Sequence, residues 1–286
     1  MGGLGNQLFQ IFATIAYAIE HGHSFLFQYT DILNVGKMRV TYWNNFLSNL
    51  VVFTTKSRIS KFSNSDLEAF PLMREQGFNY TKINAVPPNI SISLHGYYQS
   101  YKYFEEYQRK IYEMILLKNQ QNAIRTKYGH YLEGAITISM HFRLGDYKDK
   151  QHFHPIMPKI YYENALKHIL ETKYEPHSNV RILYFCEAED NEFVAKTMES
   201  ILSFFSDYHH LQIQKVEDGI EDWQQLLLMS CCDNNIIANS SFSWWGAYLN
   251  QTIDKYVCYP CKWFGPSMAN TYVGDMFPIY WHKIVF

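Results

Sequence analysis

The hydrophobic pattern changes period along the chain and divides it into an irregular first part and a regular second part. Apolar residues recur at helical spacing over residues 8–21, and the glycine of His21-Gly22-His23 predicts the end of this helix. The glycine-rich residues 2–7 are predicted to form a loop that leads into the helix N-terminus, where free backbone N–H groups favour an anion or a polar ligand. Residues 24–29 then predict a strand.

Residues 30–95 have no regular period, whereas residues 96–127 are predicted to be helical. We expect the aromatic stripe of that segment to pack in the core rather than to line a cofactor site.

Short apolar runs alternate with amphipathic stretches throughout the second part of the chain. The predicted strands span residues 135–141, 181–186, 211–216, 235–238 and 256–259, and the predicted helices span residues 161–172, 191–205, 222–232 and 243–250. Strands separated by helices indicate a parallel sheet with right-handed crossovers. The sequence therefore predicts an α/β chain of two halves facing a cleft, which divide within residues 121–133. We take residues 1–128 as the N-terminal half and residues 129–286 as the C-terminal half.

Composition and charge narrow the class of protein. The net charge is −2 without a basic stripe, so we expect no nucleic acid partner. No apolar run reaches about 18 residues and no signal peptide is evident, which predicts a cytoplasmic protein. A Golgi membrane protein deprived of its anchor is the alternative. The five cysteines are an odd number, and Cys258 and Cys261, which have CxxC spacing, lack the second pair that a zinc site needs, so we expect reduced thiols and no metal.

The segment HFRLGDY, residues 141–147, directly follows a predicted strand. His141 and Arg143 alternate along the strand end, so both can point to one side. The planar fork of Arg143 suits a diphosphate. Gly145 permits a turn, and Asp146 either orients Arg143 or acts as a base. A salt-bridged turn without a ligand is the open alternative.

The segment NSSFSWWG, residues 239–246, follows another predicted strand. The hydroxyls of Ser240 and Ser241 can cap the next helix or hold phosphate oxygens, and the residues alone leave both roles open. Parallel strands present their ligands at their carboxyl ends, so we expect the loops after His141, Cys186 and Ala238 to meet at one edge.

The opening GGLGNQ is not a dinucleotide fingerprint. The third glycine of that motif is absent, no strand precedes the segment, and the chain contains no phosphate-binding P-loop sequence. Asn6 and Gln7 instead offer donors and acceptors to sugar hydroxyls or to a phosphate. The acidic residues 217–222 also follow a strand, where they form a solvated turn or offer one carboxylate to the N–H edge of a guanine. Residues 187–190 follow another strand and are expected to form an acidic surface. No DxD motif is present to hold a metal-bound diphosphate.

Four segments follow one another along the chain in a specific order: GGLGNQLFQ, HFRLGDY, DWQQLLLMSCC and IIANSSFSWWGAYL. Together they resemble the α-1,2-fucosyltransferases of glycosyltransferase family 11. The resemblance spans almost the whole chain. It implies a GT-B-like enzyme with two Rossmann-like halves, which transfers L-fucose from GDP-β-L-fucose to the 2-hydroxyl of a terminal β-galactoside with inversion. It also implies that no divalent metal or other cofactor is needed. The C-terminal half would bind GDP-fucose, and the N-terminal half would lie on the acceptor side.

The same resemblance assigns residues to the reaction. Arg143 would neutralise the departing diphosphate, His141 would face the base or ribose, and Asp146 is the candidate base. The implied donor-binding residues are Gly3, Gly5, Asn6, Gln7, His141, Arg143, Asp222, Asn239, Ser240, Ser241 and Phe242.

Two departures from the family pattern affect these expectations. Leu144 stands where the family has a second arginine, so donor binding is weaker or that task passes to His141 or Lys148. Only Met1 precedes GGLGNQ, where the family has a strand, so either the natural chain extends further or that strand is missing. The alternatives are a fucosyltransferase with another acceptor and a catalytically inactive protein that binds a sugar nucleotide or a glycan. The sequence does not determine the oligomeric state.

Overall fold

The computed structural model describes residues 1–34 and 38–286. It divides the chain into two compact units, one of residues 1–120 with 272–278 and the other of residues 121–271 with 279–286. The boundary predicted at 128/129 falls inside a helix. In the part of the chain that the structure describes, no helix is both long and apolar enough to cross a membrane.

The first unit is built on the helix α1, Leu4–His21, whose buried face includes Leu8, Phe9 and Phe12. The helix ends where Gly22 takes a left-handed φ of 65°, which lets the N–H groups of Gly22 and His23 bond carbonyls of the last turn. The other elements are short. They are β1 (Ile32–Leu33), β2 (Arg39–Val40), α2 (Asn64–Ala69), β3 (Leu72–Arg74), β4 (Ser93–His95) and α3 (Gln108–Met114), with 3₁₀ turns at Ser48–Phe53, Tyr101–Tyr103 and Glu105–Tyr107.

Two predictions for residues 24–127 are wrong. Of the strand predicted over residues 24–29, the structure retains only a bridge between Phe27 and Thr54. The long helix predicted from residue 96 begins only at α3 and is interrupted before α4 (Leu117–Leu132), where Leu116 has a φ of 51°. The start is delayed because the carboxylate of Glu75 accepts the N–H groups of Tyr97 and Tyr98, at 2.7 and 3.0 Å.

The second unit contains a six-stranded sheet in which all neighbouring strands are parallel. Its strands are β5 (Ile136–His141), β6 (Val180–Phe185), β7 (Leu211–Lys215), β8 (Asn234–Ile236), β9 (Val257–Pro260) and β10 (His282–Ile284). The five strands predicted from the sequence are confirmed, and β10 is the one that the pattern missed. In space they follow the order β7-β6-β5-β8-β9-β10, which is the 3-2-1-4-5-6 order of the Rossmann fold. The predicted α/β class is therefore confirmed, and this unit is Rossmann-like.

The helices of the second unit also confirm the predicted rhythm. They are α5 (Lys159–Lys173), α6 (Asn191–Phe204), α7 (Asp222–Met229) and α8 (Ser241–Tyr248). Ile138, Met140, Phe142 and Leu144 belong to one buried apolar cluster together with residues of α5 and α6. Since strand side chains alternate between faces, His141, the last residue of β5, projects from the opposite face.

Candidate active site at the switch point of the sheet

The strand order reverses direction between β5 and β8, and this reversal defines the ligand site of a Rossmann-like sheet. The chain leaves β5 toward β6 and leaves β8 toward β9, so the switch point, where such sheets bind their ligands, lies at the carboxyl ends of β5 and β8. The segment of residues 141–147 begins at the last residue of β5, and residues 239–246 follow β8. The two motifs predicted from the sequence therefore lie at this one edge.

Arg143 is the centre of a charged network at this edge. Its Nη2 forms an ion pair with Asp146 and its Nη1 with Glu187. Its guanidinium carbon lies 5.1 Å from the ring centroid of Tyr147. Burial lowers the pKa of Arg143, but Glu187, Tyr147 and Asp146 more than offset this, so the net shift is upward. The guanidinium is thus a fixed positive charge, oriented before any ligand arrives.

The turn after Arg143 is shaped by the loop that follows β6. Gly145 has a φ of 37°, and its N–H donates to Oδ2 of Asp190 at 3.0 Å. This left-handed φ favours glycine, and a Cβ here would also displace the end of the Glu187 side chain, whose Oε2 would lie 2.5 Å away. Asp190 is 2% exposed and also forms an ion pair with Lys148. The sequence had indicated only an acidic surface at Glu187 to Asp190.

His141 is buried and neutral. Burial, and secondarily the charge of Arg143, lower its pKa to about 3. Its Nδ1 is buried without a hydrogen-bond partner among residues 1–34 and 38–286. The ring lies 5.5 Å, centroid to centroid, from that of Phe242 in the first turn of α8. His141 can therefore bond a neutral part of a ligand, but it does not replace the charge of the missing second arginine.

Helix α8 presents its N-terminus to the same edge. Ser240 is its N-cap and accepts the N–H of Phe242 at 3.3 Å, while Ser241 is the first helical residue. The Tyr147 hydroxyl donates to the carbonyl of Asn239 at 3.1 Å, which ties the two motifs together. The hydroxyl hydrogen of Ser240 and the free N–H groups of the first turn can bind an anion.

Asn239 has a structural role that the sequence did not reveal. It is 2% exposed, and its Nδ2 donates to the carbonyls of Pro155 at 2.9 Å and Trp263 at 3.0 Å. Its donor group therefore fixes two neighbouring loops rather than a phosphate. Its Oδ1 is buried and, in the described part of the chain, has no partner, so only an acceptor remains for a ligand.

Asp222 lies farther out along the sheet. It is exposed at the start of α7, after β7, which is two strands away from β5. Its Oδ1 accepts the N–H of Trp223 at 2.7 Å. A role for Asp222 at the nucleotide base stays a prediction.

The four predicted residues of the first unit occupy a helix start. The expected loop over residues 2–7 is wrong beyond Gly3, because α1 begins at Leu4 and the N–H of Gln7 bonds the carbonyl of Gly3 at 3.0 Å. Gly5, Asn6 and Gln7 therefore lie in the first helical turn. The amide of Gln7 donates to the carbonyls of Gly2 and Val40, so it braces the unit internally.

Asn6 has a partner that sequence reasoning missed. Its Oδ1 accepts Nε2 of Gln99 at 2.8 Å, which leaves the Asn6 amide hydrogens as donors. Gln99 stands in the segment GYYQS, where the predicted helix concealed its contribution.

The described residues include one group of acids with spacing suited to a metal ion, Glu187, Glu189 and Asp190, whose ligand atoms lie within 4.8 Å of one another. Two of the three already have cationic partners, since Glu187 pairs with Arg143 and Asp190 pairs with Lys148. These ion pairs compete with a metal ion for the same carboxylates.

The strand order, the oriented guanidinium and the capped helix N-terminus define a Rossmann-like domain with a candidate anion site at its switch point. The comparisons specify the class further. The family model of glycosyl transferase family 11 matches residues 4–262, and the chain belongs to that family. The family predicted from the ordered motifs is thereby confirmed, and the protein is a glycosyltransferase.

Two relatives from Escherichia coli share this sequence pattern. The O-antigen biosynthesis glycosyltransferase WbnK is 36% identical over 146 residues, which are 50% of this chain and only 44% of WbnK. An α-1,2-colitosyltransferase is 27% identical over an alignment that covers 99% of this chain and 96% of the relative.

Solved structures give more distant matches. The E. coli ADP-heptose LPS heptosyltransferase II has a TM-score of 0.35 and 11% identity, with 58% of this chain and 43% of that chain covered. A family 9 glycosyl transferase from Veillonella parvula has a TM-score of 0.34 and 12% identity, with 59% and 40% covered. Both likenesses are too low to assign an activity.

Proposed function

We propose that the protein is an inverting α-1,2-fucosyltransferase that uses GDP-β-L-fucose as donor and the 2-hydroxyl of a terminal β-galactoside as acceptor. The observation that carries the proposal is the meeting of Arg143 with the N-terminus of α8 at the switch point, joined through Tyr147 and Asn239. This arrangement suits a nucleoside diphosphate that leaves with growing negative charge. Family membership and the α-1,2 linkage in the relative's name add support.

In this proposal Arg143 accelerates the reaction by stabilising the leaving group. The acceptor oxygen attacks the anomeric carbon while the bond to the diphosphate oxygen breaks, and the bonding electron pair stays on GDP. Because negative charge grows on that oxygen in the transition state, a preoriented guanidinium lowers the barrier. The N–H groups of α8 and the Ser240 hydroxyl stabilise the same charge.

Neutralisation of the donor diphosphate depends more on Arg143 here than it would in a protein with a second arginine at position 144. Leu144 belongs to the apolar cluster, and Lys148 is already paired with Asp190. His141 is neutral, since its pKa is about 3. We propose that His141 bonds the ribose or base through Nδ1, while Arg143 and the helix N-terminus bind the diphosphate.

The contacts of Asp146 favour an orienting role over a role as base. Partial burial raises its pKa, but Arg143 and Lys150 outweigh burial and hold the pKa below the usual value. A carboxylate held by two cations is a weak proton acceptor. The acceptor proton then passes to solvent as the new bond forms, which an oxocarbenium-like transition state permits.

Colitosyl transfer is a second candidate, favoured by the relative that matches 99% of this chain. Colitose is L-fucose without its 3-hydroxyl, so both sugars present the same anomeric centre. The two candidates differ in whether the site binds that hydroxyl.

The test is GDP release from GDP-fucose in EDTA, with and without lactose, followed by NMR of the product. We expect lactose-dependent release and a 2′-fucosylated product. Faster turnover of GDP-colitose than of GDP-fucose would favour the second candidate. Binding of GDP-fucose without release on any β-galactoside would contradict the proposed acceptor and favour another acceptor or an inactive binding protein. Activity that EDTA abolishes and Mn²⁺ restores would contradict metal independence.

A further inference from the structure

Two carboxylates from the loop after β6 hold both ends of the turn that carries Arg143. Glu187 forms an ion pair with Arg143 itself. Asp190 accepts the N–H of Gly145 at 3.0 Å and pairs with Nζ of Lys148. The turn is therefore fixed by a neighbouring strand's loop and not only by its own hydrogen bonds.

Asp190 is an unusual residue for a purely structural position. The residue is 2% exposed, so its carboxylate has lost nearly all contact with water. A buried carboxylate needs a cation and hydrogen-bond donors to offset its desolvation, and an apolar side chain of similar volume is often as stable. The charge is thus better explained by the geometry that it imposes than by a gain in stability.

Asp190 restricts the backbone at Arg143 through the two residues that follow it, Leu144 and Gly145. Gly145 adopts a left-handed φ of 37° while its N–H points at Asp190. Leu144, between Arg143 and Gly145, is buried in the apolar cluster. With Leu144 and Gly145 both fixed, the backbone at Arg143 has little freedom.

We infer that Asp190 is a positioning residue, which aims Arg143 at the departing diphosphate by holding the turn of residues 143–148. This inference rests on the proposed function for its reaction but on the structure alone for its contacts. Asp190 does not touch the reacting atoms in this scheme and acts through Arg143.

The same strand provides a matched control at its opposite end. Oδ2 of Asp233 accepts the N–H of Thr137 at 2.7 Å and its hydroxyl at 2.8 Å. Asp233 therefore anchors the amino end of β5 as Asp190 anchors the turn after its carboxyl end, but far from the proposed chemistry.

The experiment compares Asp190→Ala, Asp190→Asn and Asp233→Ala by kcat, by calorimetric Kd for GDP and pyrophosphate, and by thermal midpoint. We expect Asp190→Ala to lower kcat about 10- to 100-fold, the size expected for a misplaced catalytic group. Asp190→Asn should recover most of this loss, because the amide oxygen still accepts from Gly145. Asp233→Ala should lower the thermal midpoint while kcat stays within about twofold of wild type, since it leaves Arg143 in place.

A double variant tests whether Asp190 acts through Arg143. Once Arg143→Ala has removed the guanidinium, adding Asp190→Ala should weaken GDP and pyrophosphate binding no further. If adding Asp190→Ala to Arg143→Ala weakened GDP and pyrophosphate binding as much as it weakens binding in the wild type, the inference would be overturned. An unchanged kcat in Asp190→Ala would overturn it as well. If Asp190→Ala does not fold, Asp190→Leu replaces the carboxylate by a side chain of similar shape and is subject to the same criteria.

Failure of the proposed function would look different. Wild-type protein that binds pyrophosphate through Arg143 but does not turn over GDP-fucose would contradict the proposed function. The binding comparison would still decide the role of Asp190. Wild-type protein that binds neither GDP nor pyrophosphate would contradict both.

Discussion

The two ends of β5 differ in how their polar groups are bonded. At the amino end, Thr137 and Asp233 satisfy each other, since Asp233 accepts two bonds from Thr137 and its own N–H donates to the Thr137 carbonyl at 3.0 Å. At the carboxyl end, buried polar atoms of His141 and Asn239 have no partner among the described residues. Buried polar groups are almost always bonded, so these two unpaired atoms, together with the charged motifs beside them, make this edge the candidate ligand site.

The two ends also differ in charge. Beyond the carboxyl end, Arg143 contacts two carboxylates, and Lys148 and Lys150 each contact one. Such a network orients cations before a ligand arrives, whereas at the amino end Asp233 bonds the neutral groups of Thr137. The comparison teaches that the switch-point edge orients its cations at a cost in desolvation, as the candidate anion site requires, whereas the amino end only anchors the strand.

The largest expected effect is the loss of Arg143. Removing a preoriented charge from a leaving group lowers kcat by about 100- to 1,000-fold, so we expect Arg143→Ala to lose GDP-fucose turnover to this extent. The thermal midpoint should also fall, because the side chain is only 21% exposed and its ion pairs with Asp146 and Glu187 are lost. Arg143→Lys is the matched variant, since it keeps the charge but loses the planar fork. Turnover close to wild type in Arg143→Ala would disprove the assigned role.

The next effect concerns Leu144, where the family pattern has arginine. The side chain is 4% exposed within the apolar cluster, so Leu144→Arg buries a charge there. An uncompensated buried charge destabilises a protein by about 3–5 kcal/mol, which urea denaturation would measure. Unchanged stability together with tighter GDP binding would show instead that this position faces the ligand.

The regular part of the fold was predictable because the sequence pattern itself is regular. Alternating strands and helices of the second unit follow from short apolar runs and amphipathic stretches, and all five predicted strands are present. The first unit was not predictable in this way. Its conformation depends on long-range bonds, such as those from Glu75 to the backbone at Tyr97 and Tyr98, which no local pattern encodes.

The motifs of the candidate site were predictable from the sequence, but the residues that hold these motifs in place were not. Arg143 and Ser240 follow strands and carry recognisable chemistry. The contribution of Asp190 depends on which strand lies beside β5, and the roles of Asn239 and Gln7 depend on which carbonyls are within reach. One signal was available, since residues 187–190 are acidic and follow the strand next to a cationic turn.

A smaller effect is expected from pH. Burial lowers the pKa of His141 to about 3 in the folded chain. Below about pH 6.5 this histidine therefore binds a proton in the unfolded chain but not in the folded chain. Stability should therefore be full above this pH and fall by up to about 1.4 kcal/mol per pH unit as the solution becomes more acidic. Urea denaturation from pH 7 to pH 4 would measure the slope.

His282 provides the control for this slope. Burial, and then His168, lower its pKa as well, but it begins β10 and lies outside the switch-point motifs. His141→Asn and His282→Asn should each flatten the pH dependence. Only His141→Asn should also weaken GDP binding. An equal change of GDP affinity in both variants would contradict a contact between His141 and the ligand.

The smallest expected effect comes from the caps of two helices. Ser240 caps α8 at the ligand edge, and Ser63 caps α2 in the first unit through a capping box. Replacing an N-cap serine by alanine costs about 1 kcal/mol, so Ser240→Ala should be slightly less stable. If the cap also binds the donor, Ser240→Ala should raise the KM for GDP-fucose several-fold, whereas Ser63→Ala should leave it unchanged. Equal KM values in the two variants would show that Ser240 only caps its helix, and the anion site would then depend on Arg143 and the backbone of α8.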